Sequence, residues 1–390
     1  MLYERLLKNI TVFLVPLLCA LCLSGCTGAK DDGSGSIKEA AENTGLSGGM
    51  QEAAGGTGVG SAAKEAEGGT AFESAAGEAA GNAGGSGDAA GDGIFYEAVW
   101  LAYWDDEDYI AKLSEAGYNT DIICMFEAYF DGAGRIVTED SVIEQYEAVK
   151  SRPEAADKKF YLSFVNDVVE NGVSSQKDTE VLYKVLSDPE GHAEDIVNTA
   201  KEHGFDGIEI DYEKIRGDLT LWALFTAFEE QLIIKADQAG LGLRVILEPS
   251  TPVESILLPA GPEYVVMCYN LYGYGTKPGA KADREFLYEL CERFKPLYGN
   301  IGFAFANGGF DWNLSRDSIT ALSDAKGREL IEAYKAVPER DTDSKALHFT
   351  YEDGKEKHEV YYADDETLRF WKSVVEEKYG GNARISLWKI

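Results

Sequence analysis

The stretch GFDGIEIDYEKI, residues 204–215, puts Asp206, Glu209, Asp211 and Glu213 within eight residues and interleaves them with Ile208, Ile210 and Tyr212. Side chains alternate along a strand. Ile208, Ile210 and Tyr212 therefore share one face, and Glu209, Asp211 and Glu213 share the other. Carboxylates packed on one face cannot all ionise cheaply, so one is expected to hold its proton towards neutral pH. Such a group can act as a general acid on a leaving group. The competing reading is a strand with one solvated acidic face, natural in a chain with 68 Asp and Glu.

The elements around this stretch decide between the two. From residue 96 onward, β-rich apolar runs recur at 96–104, 120–126, 159–165, 207–213, 243–249, 264–270, 301–307 and 384–390. Amphipathic helical stretches separate them, among them DDEDYIAKLSEAG, LTLWALFTAFEEQLIIKADQAG and ADREFLYELCERF. Eight strands with helical crossovers predict an α/β fold, a parallel sheet closed into a (β/α)8 TIM barrel. A doubly wound open sheet is the alternative, and the count of eight favours the barrel. Extra material between the seventh and eighth strands contains ALHFTYEDGKEKHEVYYA, a hairpin turning at Asp353-Gly354. A small α+β insertion is expected there. In a barrel, Glu209, Asp211 and Glu213 point into the lumen, with Glu213 last, at the C-terminal mouth where barrel enzymes keep their sites.

The chain divides into three parts. Residues 1–25 hold the basic Arg5 and Lys8, a short apolar run from Ile10 to Leu23, and then Ser24-Gly25 before Cys26. That run is too short to span a bilayer comfortably and fits a cleaved export signal. Leu23-Ser24-Gly25-Cys26 resembles the lipobox of bacterial lipoproteins, which implies lipidation at Cys26 and a position on the extracytoplasmic face of a cell membrane. Residues 26–93 are Gly, Ala, Ser and Glu with few large apolar side chains. They read as a disordered tether with a reach of roughly 45 Å. Residues 94–390 are long enough for one large domain.

A net charge of −32 excludes nucleic acid as a natural partner, which needs a basic face. Beyond the signal and Cys26, only Cys124, Cys268 and Cys291 remain, without CxxC spacing, so no disulfide framework is expected. The histidines at 192, 203, 348 and 358 form no ligand pattern, and no metal or cofactor is indicated. A monomer is the default expectation.

The strand-four sequence Asp206-Gly207-Ile208-Glu209-Ile210-Asp211-Tyr212-Glu213 resembles that of glycoside hydrolase family 18, the chitinase-like (β/α)8 enzymes, and in particular their peptidoglycan- and spore-associated branch. Met267-Cys268-Tyr269-Asn270 is similar to the family's sixth-strand signature, and Trp388 matches the tryptophan that floors its sugar site. Alternation also turns Trp388 inward with Ser386. The resemblance implies a retaining, substrate-assisted hydrolysis of β-linked N-acetylglucosamine-containing glycans: chitin-like oligosaccharides, peptidoglycan or N-glycan cores. It implies Glu213 as general acid and later base, Asp211 as the group that orients the 2-acetamido substituent, and Tyr269 as a hydrogen-bond donor to that carbonyl. Asp206, Glu209, Met267, Asn270 and Trp388 would line the substrate site.

Three departures stand out. Glu209 and Asn270 each replace an aspartate, and Ser163-Phe164-Val165-Asn166 stands where the family has S-x-G-G. A chitinase-like protein that binds glycan without turnover is therefore a second expectation. A solute-binding lipoprotein is a third, opposed by acids gathered at one barrel mouth. Trp100, Tyr103, Trp104, Tyr129, Tyr272, Tyr274 and Trp312 are candidate sugar platforms, and Glu248 a candidate ligand contact.

Overall fold

The computed structural model describes residues 95–388, apart from 104–110, 112, 114–116, 298 and 382. The signal, Cys26, the tether, Trp104 and most of the helix expected after the first strand lie outside the described residues.

Eight parallel strands close on themselves: β1 (Phe95–Ala102), β2 (Asn119–Phe130), β4 (Lys159–Glu170), β6 (Gly207–Asp211), β7 (Gly242–Leu247), β8 (Glu263–Met267), β9 (Ile301–Ala306) and β15 (Arg384–Trp388). Pairing of β2 with β4 and of β1 with β15 completes the ring. This is the (β/α)8 barrel, its staves within a few residues of the sequence expectation. Short strands extend two of the staves beyond the barrel: β3 (Ile136–Thr138) folds back on β2, and β5 (Val173–Ser175) on β4.

Helices α1 (Asp140–Lys150), α2 (Thr179–Val185), α3 (Pro189–Glu202), α4 (Leu219–Ala239) and α5 (Arg284–Arg293) flank the ring. Among the described residues no α-helix lies between β7 and β8. The start of α4 is set by Asp218, whose side chain accepts from the amides of Thr220 and Leu221, and its end by Gly240 at φ 70°. Its buried Leu221, Trp222, Phe225, Phe228 and Leu232 recur at helical spacing. They join Ile208 and Ile210, the outward residues of β6, and Tyr212 just after it, in the main apolar core.

The lumen is a second, smaller core. Ala98, Trp100, Ile122, Cys124, Tyr161, Ile246, Val265, Met267 and Ala304 fill it, with Phe126, Tyr269 and Trp388 packed at its edge. Register stacks the lumen in rows. Tyr161 pairs with Gly207, and Gly207 with Gly242. The Tyr161 ring occupies the space that side chains on those two glycines would need, since a Cβ on Gly242 would stand 1.8 Å from the Tyr161 hydroxyl. One row higher, Ser163 pairs with Glu209, Glu209 with Arg244, and Arg244 with Glu263.

Between β9 and β15 sits the expected insertion, larger than a hairpin. It is a five-stranded antiparallel sheet in the order β11 (Ser318–Leu322), β10 (Gly308–Asn313), β14 (Glu356–Ala363), β13 (Leu347–Asp353), β12 (Glu339–Arg340). Helix α6 (Asp324–Tyr334) belongs to it, and α7 (Asp365–Tyr379) leads back to the barrel. The hairpin turns at Gly354-Lys355 between paired Asp353 and Glu356.

Candidate active site

Strand β6 ends at Asp211, two residues earlier than the sequence pattern suggests, so Glu213 sits on the loop just past the strand. The reason is local. The Glu213 amide donates to Asn166 Oδ1 at 2.8 Å, and its carbonyl accepts from Asn166 Nδ2 at 3.0 Å. A side chain of β4 therefore takes the place of a ladder partner. Asn166 is fully buried and also donates to the Asp178 carbonyl at 3.2 Å.

The Glu213 carboxylate is paired with the ammonium of Lys177, a residue that the sequence pattern does not single out. Asp211 lies beside them. Its Oδ1 is out of solvent and has no hydrogen-bond partner among the described residues. Burial, then the charge of Glu213, holds the Asp211 carboxyl well above the usual range. Burial works against the Lys177 ammonium, but Glu213, with Asp211 and Glu248, outweighs it and binds the proton more tightly than usual.

Tyr269, just beyond β8, faces the same carboxylates, and burial, then Asp211 and Glu213, pushes its hydroxyl up. It stays a neutral donor at any physiological pH. Glu248, past the end of β7, accepts from the Lys214 amide at 2.7 Å, and burial and Glu213 raise its carboxyl. Beside them, Glu127 of β2 and Asp167 of β4 form a second acidic pair. Burial and Asp167 push Glu127 up to about 8. Burial raises Asp167 in turn, although its carboxylate accepts from the Lys177 amide at 2.7 Å.

Of the other sequence candidates, Trp388 packs edge-on against Trp100, ring centres 5.7 Å apart, and Phe126, 4.9 Å apart. It forms the half-exposed upper surface of the lumen core. Met267 is buried in that core, and exposed Asn270 lays its amide 3.8 Å from the Met267 sulfur. Glu209 and Asp206 are not brought to the mouth. Glu209 is fully buried below it: Oε1 accepts from Trp100 Nε1 and from Ser163 Oγ at 2.7 Å, while Oε2 accepts from Cys124 Sγ at 3.3 Å and lies 3.3 Å from Arg244 Nε. Its longer side chain is taken up by these partners in the lumen. Asp206 precedes β6 at the other end of the barrel, where its Oδ2 accepts from the Phe160 amide at 2.9 Å. The length of β6 separates it from Glu213, about 16 Å at the usual rise.

Among the platform candidates, Trp100 and Trp312 are 3% exposed and serve as packing, Trp312 donating to the Thr276 carbonyl at 3.0 Å. Tyr274 is 39% exposed and stacks edge-on with Phe310 of the inserted sheet. Sequence reasoning missed Asn166, Lys177 and Arg244. Of these, Arg244 left a legible signal, one cation at an inward position of the apolar run LRVIL. Among the described residues no group of three or more His, Cys, Asp or Glu is disposed to hold a metal ion.

The fold is that of the chitinase-like barrels. Similar solved structures include the spore cortex-lytic enzyme SleL of Bacillus cereus, at TM-score 0.62 and 19% identity over 76% of this chain and 71% of that one. A chitinase from Chromobacterium violaceum matches at TM-score 0.61 and 19% identity, over 75% of this chain and 93% of that one. The sporulation-specific glycosylase YdhD of Bacillus subtilis, putative by its own description, matches at TM-score 0.56 and 20% identity, over 67% and 89%. In sequence, the chain is 24% identical over 216 residues to an uncharacterized glycosylase of Bacillus subtilis, YvbX, a span of 50% of this chain and 62% of that protein. No family model matches the chain.

Proposed function

We propose that the protein is a glycoside hydrolase that cuts β-linked N-acetylglucosamine-containing glycans with retention of configuration, using the substrate's own acetamido group as nucleophile. The observation behind this reading is that Asp211, its carboxyl raised by burial and by Glu213, lies with Glu213 and Tyr269 at the C-terminal mouth of a chitinase-like barrel. Glu213 gives a proton to the glycosidic oxygen as its bond to the anomeric carbon breaks. The acetamido oxygen closes on that carbon from the other side. Asp211, which passes its proton to the neighbouring Glu213 carboxylate so that Glu213 can deliver it to the glycosidic oxygen, then takes a hydrogen bond from the acetamido N–H and steadies the oxazolinium charge. Tyr269 donates to the acetamido oxygen and fixes its approach. Positioning and fixed dipoles of this kind supply rate without a protein nucleophile. Trp388 offers the sugar ring an apolar floor, and Asn270 stands at the rim.

The chitinases and cortex-lytic enzymes of similar fold support glycan as the substrate class, with chitin-like oligosaccharide, peptidoglycan and N-glycan core as candidates. We further propose that lipidation at Cys26 anchors the domain to the outer side of the cell membrane through the tether, in agreement with the LSGC motif.

The test is turnover of N-acetylated chito-oligosaccharides and purified peptidoglycan by the wild type and by Glu213→Gln. New reducing ends are expected from the wild type, and a loss of at least about a hundredfold in the variant. Binding by both proteins with turnover by neither replaces this reading with a glycan-binding one.

A further inference from the structure

The stave β4 is 12 residues long where β6 and β8 are five, and its surplus continues past the barrel rim. It folds back through Asn171 and Gly172, both left-handed at φ 51° and 78°, and pairs with β5. The chain leaving β5 is then tied to β4. The Asp178 amide donates to the Asn166 carbonyl at 2.8 Å, and the Lys177 amide to Asp167 Oδ1 at 2.7 Å. Lys177 itself is held at φ 54°, a region that side chains other than glycine seldom adopt. Lys214 and Arg216, on either side of Ile215 and just after Glu213, are left-handed as well, at 62° and 49°. Non-glycine residues held there gather where the surrounding structure imposes a geometry.

The hairpin thus reaches one residue at three points: Asn166 holds the amide and carbonyl of Glu213, and Lys177 meets its carboxylate. We propose that Lys177 is a positioning residue that acts through Glu213, keeping its carboxylate aimed and ionised between the two halves of the reaction. The inference rests on the hydrolase reading. In the first half Glu213 gives its proton to the departing oxygen and becomes a carboxylate. In the second half water attacks the anomeric carbon, the oxazolinium ring opens, and the proton lost by that water returns to Glu213. A carboxylate without a counter-charge among so many acids would recapture a proton from solvent before water could attack. Among the described residues the groups facing it are Asp211 at the end of β6, Asp167 of β4, Glu248 after β7 and Tyr269 after β8, none of them cationic, while the nearby Lys214 ammonium is turned to the Gln176 carbonyl at 3.3 Å. Lys177 supplies the opposing charge, and its backbone ties keep it there.

The experiment compares wild type, Lys177→Met and Lys177→Arg after checking that each melts cooperatively. Lys177→Gln replaces the methionine variant if that one does not fold. Glutamate labelled with 13C at the carboxyl is followed by NMR across pH, and Glu213→Gln identifies the Glu213 resonance by its loss. In Lys177→Met that resonance is expected to titrate about one pH unit higher, or more, while Lys177→Arg stays near the wild type. On a cleaved substrate, kcat falls roughly tenfold with KM within about twofold, and the alkaline limb of the rate profile moves up in parallel. An unmoved Glu213 resonance in the folded methionine variant overturns the proposal. So does an effect confined to KM, which would make Lys177 a substrate contact. The NMR titration needs no turnover, so it decides the role of Lys177 even if none of the glycans is cut.

Discussion

Asn166 closes two hydrogen bonds on the backbone of Glu213, accepting from its amide at 2.8 Å and donating to its carbonyl at 3.0 Å. The consequence is that the last acid of the motif, though beyond its strand, is as fixed as if it were still in the ladder. Loop residues that do chemistry need such support, because small displacements of a reacting group cost rate steeply.

Asn166→Ala removes both bonds and the one to the Asp178 carbonyl, leaving the Glu213 amide and carbonyl without these partners, a loss of about 1–3 kcal/mol in stability. Turnover is expected to fall at least about tenfold, mostly in kcat, because Glu213 loses its aim while the sugar surface is untouched. Urea denaturation and steady-state kinetics on one preparation check both. A variant with full kcat would show that Asn166 serves folding alone.

Glu209 and Arg244 are each almost wholly buried in the lumen, 3.3 Å apart, and Arg244 Nη2 also donates to Ser386 at 2.9 Å. Removing one partner unbalances the cluster, since Arg244 then keeps only Glu263 at 3.7 Å and Glu209 keeps no cation: Glu209→Leu or Arg244→Met is expected to cost about 3–5 kcal/mol. Removing both costs clearly less than the two losses added, since neither charge is then left unpaired. A double-mutant cycle in urea measures this. Additive losses would mean that the charges do not depend on each other, against the geometry.

Strand four was legible because its chemistry is local. Alternation alone puts Ile208 and Ile210 into the outer core and Asp211 into the lumen, and the structure keeps that division. The staves were legible for the same reason, as apolar runs separated by helical periods. What surrounds Glu213 was not. Lys177 comes from the hydrophilic turn that follows β5, and its left-handed backbone has no sequence signature at lysine. Asn166 lies 47 positions from the residue that it clamps, and only the register of β4 on β6 brings the two together. The reach of Glu209 into the floor was equally hidden, because it depends on Trp100 and Cys124 from two other staves.

Trp388 tests the sugar floor. It is partly exposed above the lumen core and braced by Trp100 and Phe126, so its ring is held in place before any ligand arrives. Trp388→Ala is expected to weaken glycan binding by about tenfold, close to the 0.5–1.5 kcal/mol of an aromatic contact together with its lost apolar area. Calorimetry with Glu213→Gln as background separates binding from turnover. Unchanged affinity would remove Trp388 from the site.

Glu229 gives a pH prediction independent of the active site. It sits on α4, fully buried beside the Tyr264 hydroxyl, and burial pushes its carboxyl up to about 8 from an ordinary value of 4.5. The folded protein therefore binds a proton between those two values that the unfolded chain has released. Wherever the folded state binds more protons, stability falls as pH rises. The contribution is flat below the unfolded value, declines through the interval, and is flat again above the folded one. The full difference is on the order of 3–5 kcal/mol. Glu229→Gln keeps the shape and removes the titration. Its stability relative to wild type should rise steadily between about pH 5 and pH 8. Guanidinium unfolding of both proteins at several pH values is the check. A constant difference across that range would place an ionised Glu229 in the fold and require a cation or water beside it.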